Sequence, residues 1–241
     1  MKIMFGKGLS QAGFLALALF STAALAAGAG TVTHLSGTLS VQRSDGSMRI
    51  LSQKSEVNPG DVLTTQRDSY AQINFTDGSS LTMRPNTQIK VEQFNFVQNR
   101  PQDDRSFLRL IKGGLRTVTG LVGKRGDQDA YKIGTNTATI GIRGSSGDTI
   151  DNSSGSCEGV TPGCENLPAG VYHTTYTGSY CMQNSGGIQC IGEGQFGYAK
   201  DQKTAPALLP GDPGLNLSQL PFVLGVGGGR LQGPGQECVV R

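Results

Sequence analysis

The sequence contains no tryptophan and only two histidines, His34 and His173. A catalytic triad, a histidine metal cage or a histidine general base would have to use one of these two residues. No G-x-S-x-G nucleophile elbow occurs. We expect His34 to lie on the surface at a strand edge and His173 to begin a strand. The sequence therefore argues against enzymes that depend on histidine.

An excess of charge of one sign is also missing. The chain has 21 basic and 18 acidic side chains, a net charge of +3. Domains that bind nucleic acid usually carry a strong positive patch, and we expect neither a nucleic acid nor an anionic membrane surface as partner. After residue 26, no stretch is long and apolar enough for a transmembrane helix. We therefore predict no membrane span in the mature chain.

The N-terminus has the layout of a secretory signal peptide. Lys2 and Lys7 supply the positive start, an apolar run covers 12–20, and Ala24 and Ala26 are the small residues of a cleavage site. The apolar run is too short to span a bilayer, and no cysteine stands at the cleavage point to carry a lipid anchor. We predict a signal peptide and a periplasmic protein, with an extracellular location as the alternative.

Cysteine is confined to the C-terminal half of the chain, at Cys157, Cys164, Cys181, Cys190 and Cys238. In an oxidising compartment, disulfides are the expected state. We predict Cys157 with Cys164, closing a small Gly/Pro loop, and Cys181 with Cys190 across a hairpin. Other connectivities stay open, and Cys238 is left over. A zinc site is the weaker alternative because no CxxC pair occurs.

Alternating apolar and polar residues predict β-strands from about residue 31 to residue 142. In YAQINFT, residues 70–76, the side chains of Ala71, Ile73 and Phe75 share one face. Two Asp-Gly pairs and one Asn-Pro-Gly-Asp stretch supply tight turns between such segments. We expect an all-β fold of stacked short strands that is solenoid-like, with a β-sandwich as the alternative.

The composition changes after Arg143. Residues 144–170 are rich in Ser, Gly, Asn and Asp, which predicts an irregular excursion, and strands return between 171 and 199. The Pro- and Gly-rich residues 204–241 predict a disordered tail with one short docked segment. Its apolar stretch LPFVLGV, residues 220–226, either binds a partner or packs on its own domain.

Two known motifs overlap in GLVGKRGD, residues 120–127. A phosphate-binding loop needs Gly-x-x-x-x-Gly-Lys followed by Ser or Thr. Here Arg125 follows Lys124, and Val118 stands where the first glycine belongs. The sequence therefore predicts no nucleotide site. The Arg-Gly-Asp tripeptide at 125–127 lies in a turn, and we interpret it as a chance occurrence.

Three pairs of carboxylates are candidates for acid–base chemistry on glycans: Asp103 with Asp104, Asp127 with Asp129, and Asp148 with Asp151. The first two pairs lie in polar segments, where solvated charge is expected. Asp148 and Asp151 lie in GDTIDNSSG, which resembles a calcium loop but lacks its spacing. We predict no catalytic residue, no metal and no cofactor.

The order of the turn and strand motifs resembles the FecR domain family. The stretch VNPGDVLTTQRDSYAQINFTDGSSLTMRPNTQIKVEQFNF carries most of the likeness, concentrated in residues 60–94. LRLIKGGLRTVTGLVGK and YKIGTNTATIGIRGS are similar to a second half found in many exported members, with Ser145 where threonine is usual. The resemblance is close over 31–145 and loose over 190–215.

This resemblance implies a periplasmic, non-enzymatic all-β domain. In signalling members, the domain receives a signal from an outer-membrane transporter and relays it across the inner membrane to a sigma factor. Only a signal peptide precedes the β domain here, so we expect no cytoplasmic anti-sigma segment. The favoured interpretation is a binding or scaffold module that contacts an envelope protein or glycan. The alternatives are an accessory receptor and a polysaccharide-active enzyme, and the oligomeric state stays open.

With the family likeness, the chain divides into four predicted parts: signal peptide 1–26, FecR-like β domain 27–145, Cys-containing β extension 146–203, and tail 204–241. Arg116 and Arg143 lie in the two most family-like strands. We expect them to make structural hydrogen bonds rather than to present a binding surface.

Overall fold

Nearly all of the regular secondary structure in the described residues is β-strand, which confirms the all-β prediction. The structure, a computed structural model, describes residues 28–127, 129–155, 157–215, 217 and 220. The predicted signal peptide and Cys238 lie outside these residues. The described part has fifteen strands and two short 3₁₀ helices, Pro101–Asp103 and Cys164–Asn166. None of its helices is long and apolar enough to cross a membrane.

The first eight strands are short and are joined by tight turns. They are β1 (Gly30–Ser36), β2 (Leu39–Gln42), β3 (Met48–Leu51), β4 (Glu56–Val57), β5 (Val62–Thr65), β6 (Tyr70–Phe75), β7 (Ser80–Met83) and β8 (Gln88–Asn95). The later strands are β9 (Arg105–Val118), β10 (Tyr131–Gly134), β11 (Thr139–Asp151), β12 (Val171–Asn184), β13 (Gly187–Gly192), β14 (Phe196–Ala199) and β15 (Ala207–Leu209). Three of the later strands, β9, β11 and β12, are much longer, with 13 or 14 residues each.

Local sequence explains the hairpin of β6 and β7. Ala71, Ile73 and Phe75 are all buried, as their alternation predicts. Gly78 follows Asp77 in the turn and has a φ of 82°, a conformation that glycine adopts at no steric cost. The Asp77 carboxylate accepts the backbone N–H of Ser79 at 2.9 Å. This side chain therefore fixes the turn that pairs the two strands.

Strand β9 organises the sheet because it has four neighbours. Its N-terminal half pairs antiparallel with β8 and parallel with β10. Its C-terminal half pairs antiparallel with β7 and β11. One 14-residue strand thus joins two sets of strands.

The branched sheet forms two leaves that share β9, β11 and β12. The first leaf runs in the order β3-β2-β5-β8-β9-β10-β11-β12-β13, and the second in the order β4-β1-β6-β7-β9-β11-β12-β14-β15. Leu39 and Leu63 of the first leaf belong to the same core as Ile73 and Leu81 of the second, and all four are fully buried. The main core therefore lies between the leaves.

A smaller core covers the outer face of the second leaf. It is made of Ile150, Cys157, Val160, Cys164, Tyr172, Leu215 and Leu217. The predicted excursion 144–170 is wrong in its first part, because β11 continues to Asp151. Backbone pairing with β9 on one side and β12 on the other outweighs the low strand propensity of Ser and Gly.

The predicted tail contains the expected docked segment. Strand β15 pairs with β14, and the Leu215 and Leu217 side chains are buried in the smaller core. The LPFVLGV stretch lies outside the described residues, except for Leu220. The predicted division at residues 145 and 146 falls inside β11, and the division into parts stays a prediction.

Candidate functional site

A buried charge cluster lies on the outer face of the second leaf. We call Arg84, Arg116, Asp148 and Tyr176 the arginine–aspartate cluster. The side chains of Arg84 and Asp148 are 1% and 0% exposed, and that of Arg116 is 15% exposed. Charged groups this deep are stable only when they are paired and hydrogen-bonded.

Strand register brings these side chains together. Arg116 of β9 is the direct partner of Asp148 of β11, and Thr82 of β7 is its partner on the other side. Directly paired residues point to the same face of a sheet. Arg84 follows two residues after Thr82 and so points to that face as well.

The Asp148 carboxylate accepts four hydrogen bonds. Arg116 donates from Nε to Oδ1 at 2.9 Å and from Nη2 to Oδ2 at 2.7 Å. Arg84 donates from Nη2 to Oδ2 at 3.0 Å, and the Tyr176 hydroxyl donates to the same oxygen. This carboxylate is therefore engaged with protein donors and is poorly placed to act as a general base.

Burial and pairing shift the pKa values of two cluster residues, Arg116 and Tyr176. Burial lowers the pKa of Arg116, but the hydrogen bond and the charge of Asp148 more than offset this and raise that pKa. Burial, followed by the nearby Asp148 charge, raises the pKa of the Tyr176 hydroxyl. Both groups therefore keep their protons across the physiological pH range.

A cleft of about 720 Å³ opens beside the cluster, between the sheet and a C-terminal segment that includes Asp212, Leu215 and Leu217. We call it the C-terminal cleft. Its lining residues are Arg116, Thr174, Tyr176, Phe196, Asp212, Gly214, Leu215 and Leu217. The backbone oxygen of Leu217 accepts hydrogen bonds from Arg84 Nη2 and Arg116 Nη2, each at 2.8 Å. The C-terminal segment is therefore attached directly to the cluster.

The carboxylate pair Asp148 and Asp151 does not form a site. The two residues are three positions apart on one strand, which places their side chains on opposite faces. Asp151 instead accepts from Asn136 and from the backbone of Ser153, and burial raises its pKa. In the described part of the chain, no group of three or more His, Cys, Asp or Glu residues could hold a metal ion.

The other two carboxylate pairs also serve local structure. Asp104 is buried and pairs with Arg125 at 2.9 Å. Asp103 makes an ion pair with Arg100 on the surface. Asp127 accepts the backbone N–H of Asp129, as a turn-forming aspartate does.

The two histidines have different surroundings. His34 is exposed on β1, as expected. His173 lies on β12, 2% exposed, with Nδ1 at 3.0 Å from Oγ1 of Thr149. Burial lowers the pKa of His173 to about 3, so the ring is neutral at physiological pH. This histidine is part of the core.

The Arg-Gly-Asp tripeptide is part of the fold. Arg125 donates to the carboxylate of Asp104 and to the backbone oxygens of Val97 and Gln98. Its guanidinium lies 4.7 Å from the centre of the Phe96 ring. The arginine is thus occupied by its own chain, which supports the interpretation of GLVGKRGD as a structural turn.

Arg116 and Arg143 differ in role. Arg116 makes the structural hydrogen bonds expected of it, and it also faces the C-terminal cleft. Arg143 is exposed on β11 and makes no side-chain hydrogen bond or ion pair with a described residue. It pairs only through its backbone, with Ser179.

Both predicted cysteine pairs are bonded in the structure. Cys157 and Cys164 have their Cα atoms 5.9 Å apart and are buried in the smaller core. Cys181 and Cys190 are direct partners of β12 and β13, with Cα atoms 3.9 Å apart. The first bond closes a loop within the excursion, and the second links the two strands of an exposed hairpin.

Sequence reasoning missed Arg84 as a site residue. Its main partner, Asp148, lies 64 positions away in the sequence. The local sequence MRPN, residues 83–86, does not indicate that this arginine is buried. Its pairing depends on β7, β9 and β11 lying side by side.

Comparison with known proteins matches the central part of the chain to one family. Residues 61–161 match the family model "FecR protein". These residues form a FecR domain. The matched range contains Arg84, Arg116 and Asp148, so three of the four cluster residues lie within the FecR domain. No curated protein matches the chain.

Solved structures give only remote likenesses to the FecR-domain chain. Two crystal structures of a candidate anti-sigma factor from Parabacteroides distasonis ATCC 8503 each have a TM-score of 0.45, with 9% and 8% identity over 63% of this chain. The alignment spans 60% of the length of that protein. A cell surface anchoring domain has a TM-score of 0.26 and 24% identity, over 26% of this chain and 83% of its own.

Proposed function

We propose that this protein is a non-enzymatic FecR-domain module of the periplasm that binds an envelope protein or glycan. The observation that carries the proposal is the open C-terminal cleft beside a carboxylate, Asp148, whose oxygens are already hydrogen-bonded within the protein. The Asp148 carboxylate already accepts hydrogen bonds from Arg84, Arg116 and Tyr176, whereas the cleft beside it is open. Such a site favours recognition over bond cleavage.

The sheet edges support binding by a second route. Strand β3 pairs only with β2 in the described part of the chain. Its Met48 and Ile50 side chains are 66% and 70% exposed. An exposed apolar edge strand is suited to accept a partner strand.

The test is site-specific photocrosslinking in cells with the tagged full-length chain. A photoreactive amino acid is placed at Tyr176 in the cleft, at Ile50 on the edge, or at Lys54 in an exposed turn as control. We expect a discrete adduct at Tyr176 or Ile50 that is absent at Lys54. Equal labelling at all three positions, or no adduct at any, would contradict the binding role.

The same experiment separates the two binding roles. An adduct with an outer-membrane transporter or a membrane-spanning regulator would favour the accessory receptor, a role suggested by the FecR domain. An adduct that muramidase digestion releases as a glycan fragment would favour a scaffold on the cell wall. Hydrolysis of purified envelope polysaccharide by the wild type, lost in both Asp148→Asn and Asp151→Asn, would overturn the non-enzymatic role.

A further inference from the structure

The arginine–aspartate cluster contains more positive than negative charge. Arg84 and Arg116 are two guanidinium groups, and among the described residues Asp148 is the one carboxylate that contacts them. The remaining acceptors for the two arginines are neutral, namely the backbone oxygen of Leu217 and the Tyr176 hydroxyl. A surplus guanidinium in a largely buried position is costly unless an anion balances it.

The donors of the two arginines are unevenly used. Arg116 Nη2 serves three acceptors, on Asp148, Tyr176 and Leu217. Arg116 Nη1 has no hydrogen-bond partner among the described residues, although its side chain lines the cleft. Arg84 Nε is buried and also lacks a partner there. Arg116 therefore has donor capacity left over where it lines the cleft, and the buried Arg84 adds positive charge behind it.

The surroundings of Arg116 favour a small anion. Tyr176 lies against its guanidinium at 4.7 Å from the ring centre, and Phe196 forms part of the cleft wall. Apolar walls reduce solvent screening of an ion pair formed there. The acidic residue of the lining, Asp212, is exposed and uses Oδ1 to accept the backbone N–H groups of Gly214 and Leu215. Solvent therefore screens the repulsion between the Asp212 carboxylate and an anion bound in the cleft.

We propose that the C-terminal cleft is an oxyanion-binding site, in which Arg116 Nη1 receives a single carboxylate or phosphate group. The bound group supplies the negative charge that the cluster lacks. This site does not depend on the identity of the envelope partner, and it holds whether or not the binding function proposed above is correct.

The test is an NMR titration of the full mature chain with sodium acetate and, separately, inorganic phosphate, at constant ionic strength set by sodium chloride. The reporters are the backbone amides of Thr174, Gly214 and Leu215, together with the arginine Nε–H signals. We expect saturable shifts at these positions. A response to acetate alone or to phosphate alone identifies the oxyanion, and either response supports the site.

Two variants with opposite expectations make the test specific. Arg116→Gln leaves Asp148 paired with Arg84 and removes the surplus charge, so the apparent affinity should fall about tenfold or more. Asp212→Asn keeps an oxygen for the turn and removes the opposing charge, so the affinity should rise about two- to fivefold. Arg143→Gln removes an exposed, unpaired arginine as the matched control and should change nothing.

Shifts that do not saturate in the wild type, or that persist equally in Arg116→Gln, would overturn the proposal. If Arg116→Gln does not fold, Asp212→Asn decides, and an unchanged affinity in that variant overturns the proposal.

Discussion

Arg116 and Asp148 face each other in register on adjacent strands, and the guanidinium holds both carboxylate oxygens, at 2.9 and 2.7 Å. Arg84, which follows β7 on the far side of β9, reaches across β9 to the same carboxylate, at 3.0 Å. One buried negative charge thus holds three strands together through two arginines. We therefore expect substitution of Asp148 to lower the stability of the fold more than substitution of any other cluster residue.

Asp148→Asn should destabilise the fold by about 3–5 kcal/mol, because it leaves two largely buried guanidinium groups without a counter-charge. Urea unfolding at neutral pH measures the loss. Asp127→Asn, which removes an exposed carboxylate 4.0 Å from Arg105, is the matched control and should change stability by less than about 1 kcal/mol. Equal effects of the two substitutions would show that the cluster contributes little.

His173 should make the fold less stable in acid. Its pKa is lowered from 6.5 to about 3 by burial, so between these values the unfolded chain binds a proton that the folded chain does not. Stability therefore falls as pH falls through this window, by up to about 1.4 kcal/mol per pH unit from this group.

The check is the stability of the wild type minus that of His173→Gln, measured by chemical unfolding from pH 7 to pH 4. The difference should shrink as the pH falls. His34→Gln, at an exposed position, is the matched control substitution. Parallel curves for the wild type and His173→Gln would contradict a neutral buried ring.

Arg125 should matter for stability. Arg125→Gln leaves the buried Asp104 carboxylate without its charged partner, and we expect a loss of about 2–3 kcal/mol in urea unfolding. Arg105→Gln is the control, since that side chain is 46% exposed and should contribute less than about 1 kcal/mol. A fully stable Arg125→Gln chain would argue that the tripeptide is free to serve another purpose.

The two disulfides should differ in importance. Each closes a short loop, with separations of 7 and 9 residues, and such loops contribute about 2–3 kcal/mol through the unfolded state. Replacing Cys157 and Cys164 with serine also buries two hydroxyl groups in the smaller core. That double variant should therefore lose more stability than the Cys181 and Cys190 double variant, in guanidinium unfolding without reductant. An equal or smaller loss would show that the excursion is held in place without its disulfide.

Much of the fold was accessible from local patterns. The alternation in 70–76, the Asp-Gly turns and the two cysteine pairs all concern residues a few positions apart. The same reasoning ended strand β11 too early, because Gly144, Ser145 and Ser146 are poor strand formers on their own. Their neighbours β9 and β12 supply the missing stabilisation, and no local rule includes them.

The sequence by itself determined the all-β class, most of the turns and the resemblance to the FecR domain, since each depends on side-chain spacing along one stretch of chain. Only the tertiary structure decided which charges meet. Arg84 and Arg116 lie 64 and 32 positions from Asp148, and they converge because β7, β9 and β11 lie side by side in the second leaf. Register between such distant strands is set by packing of the whole core, and this packing places the cleft beside Arg116.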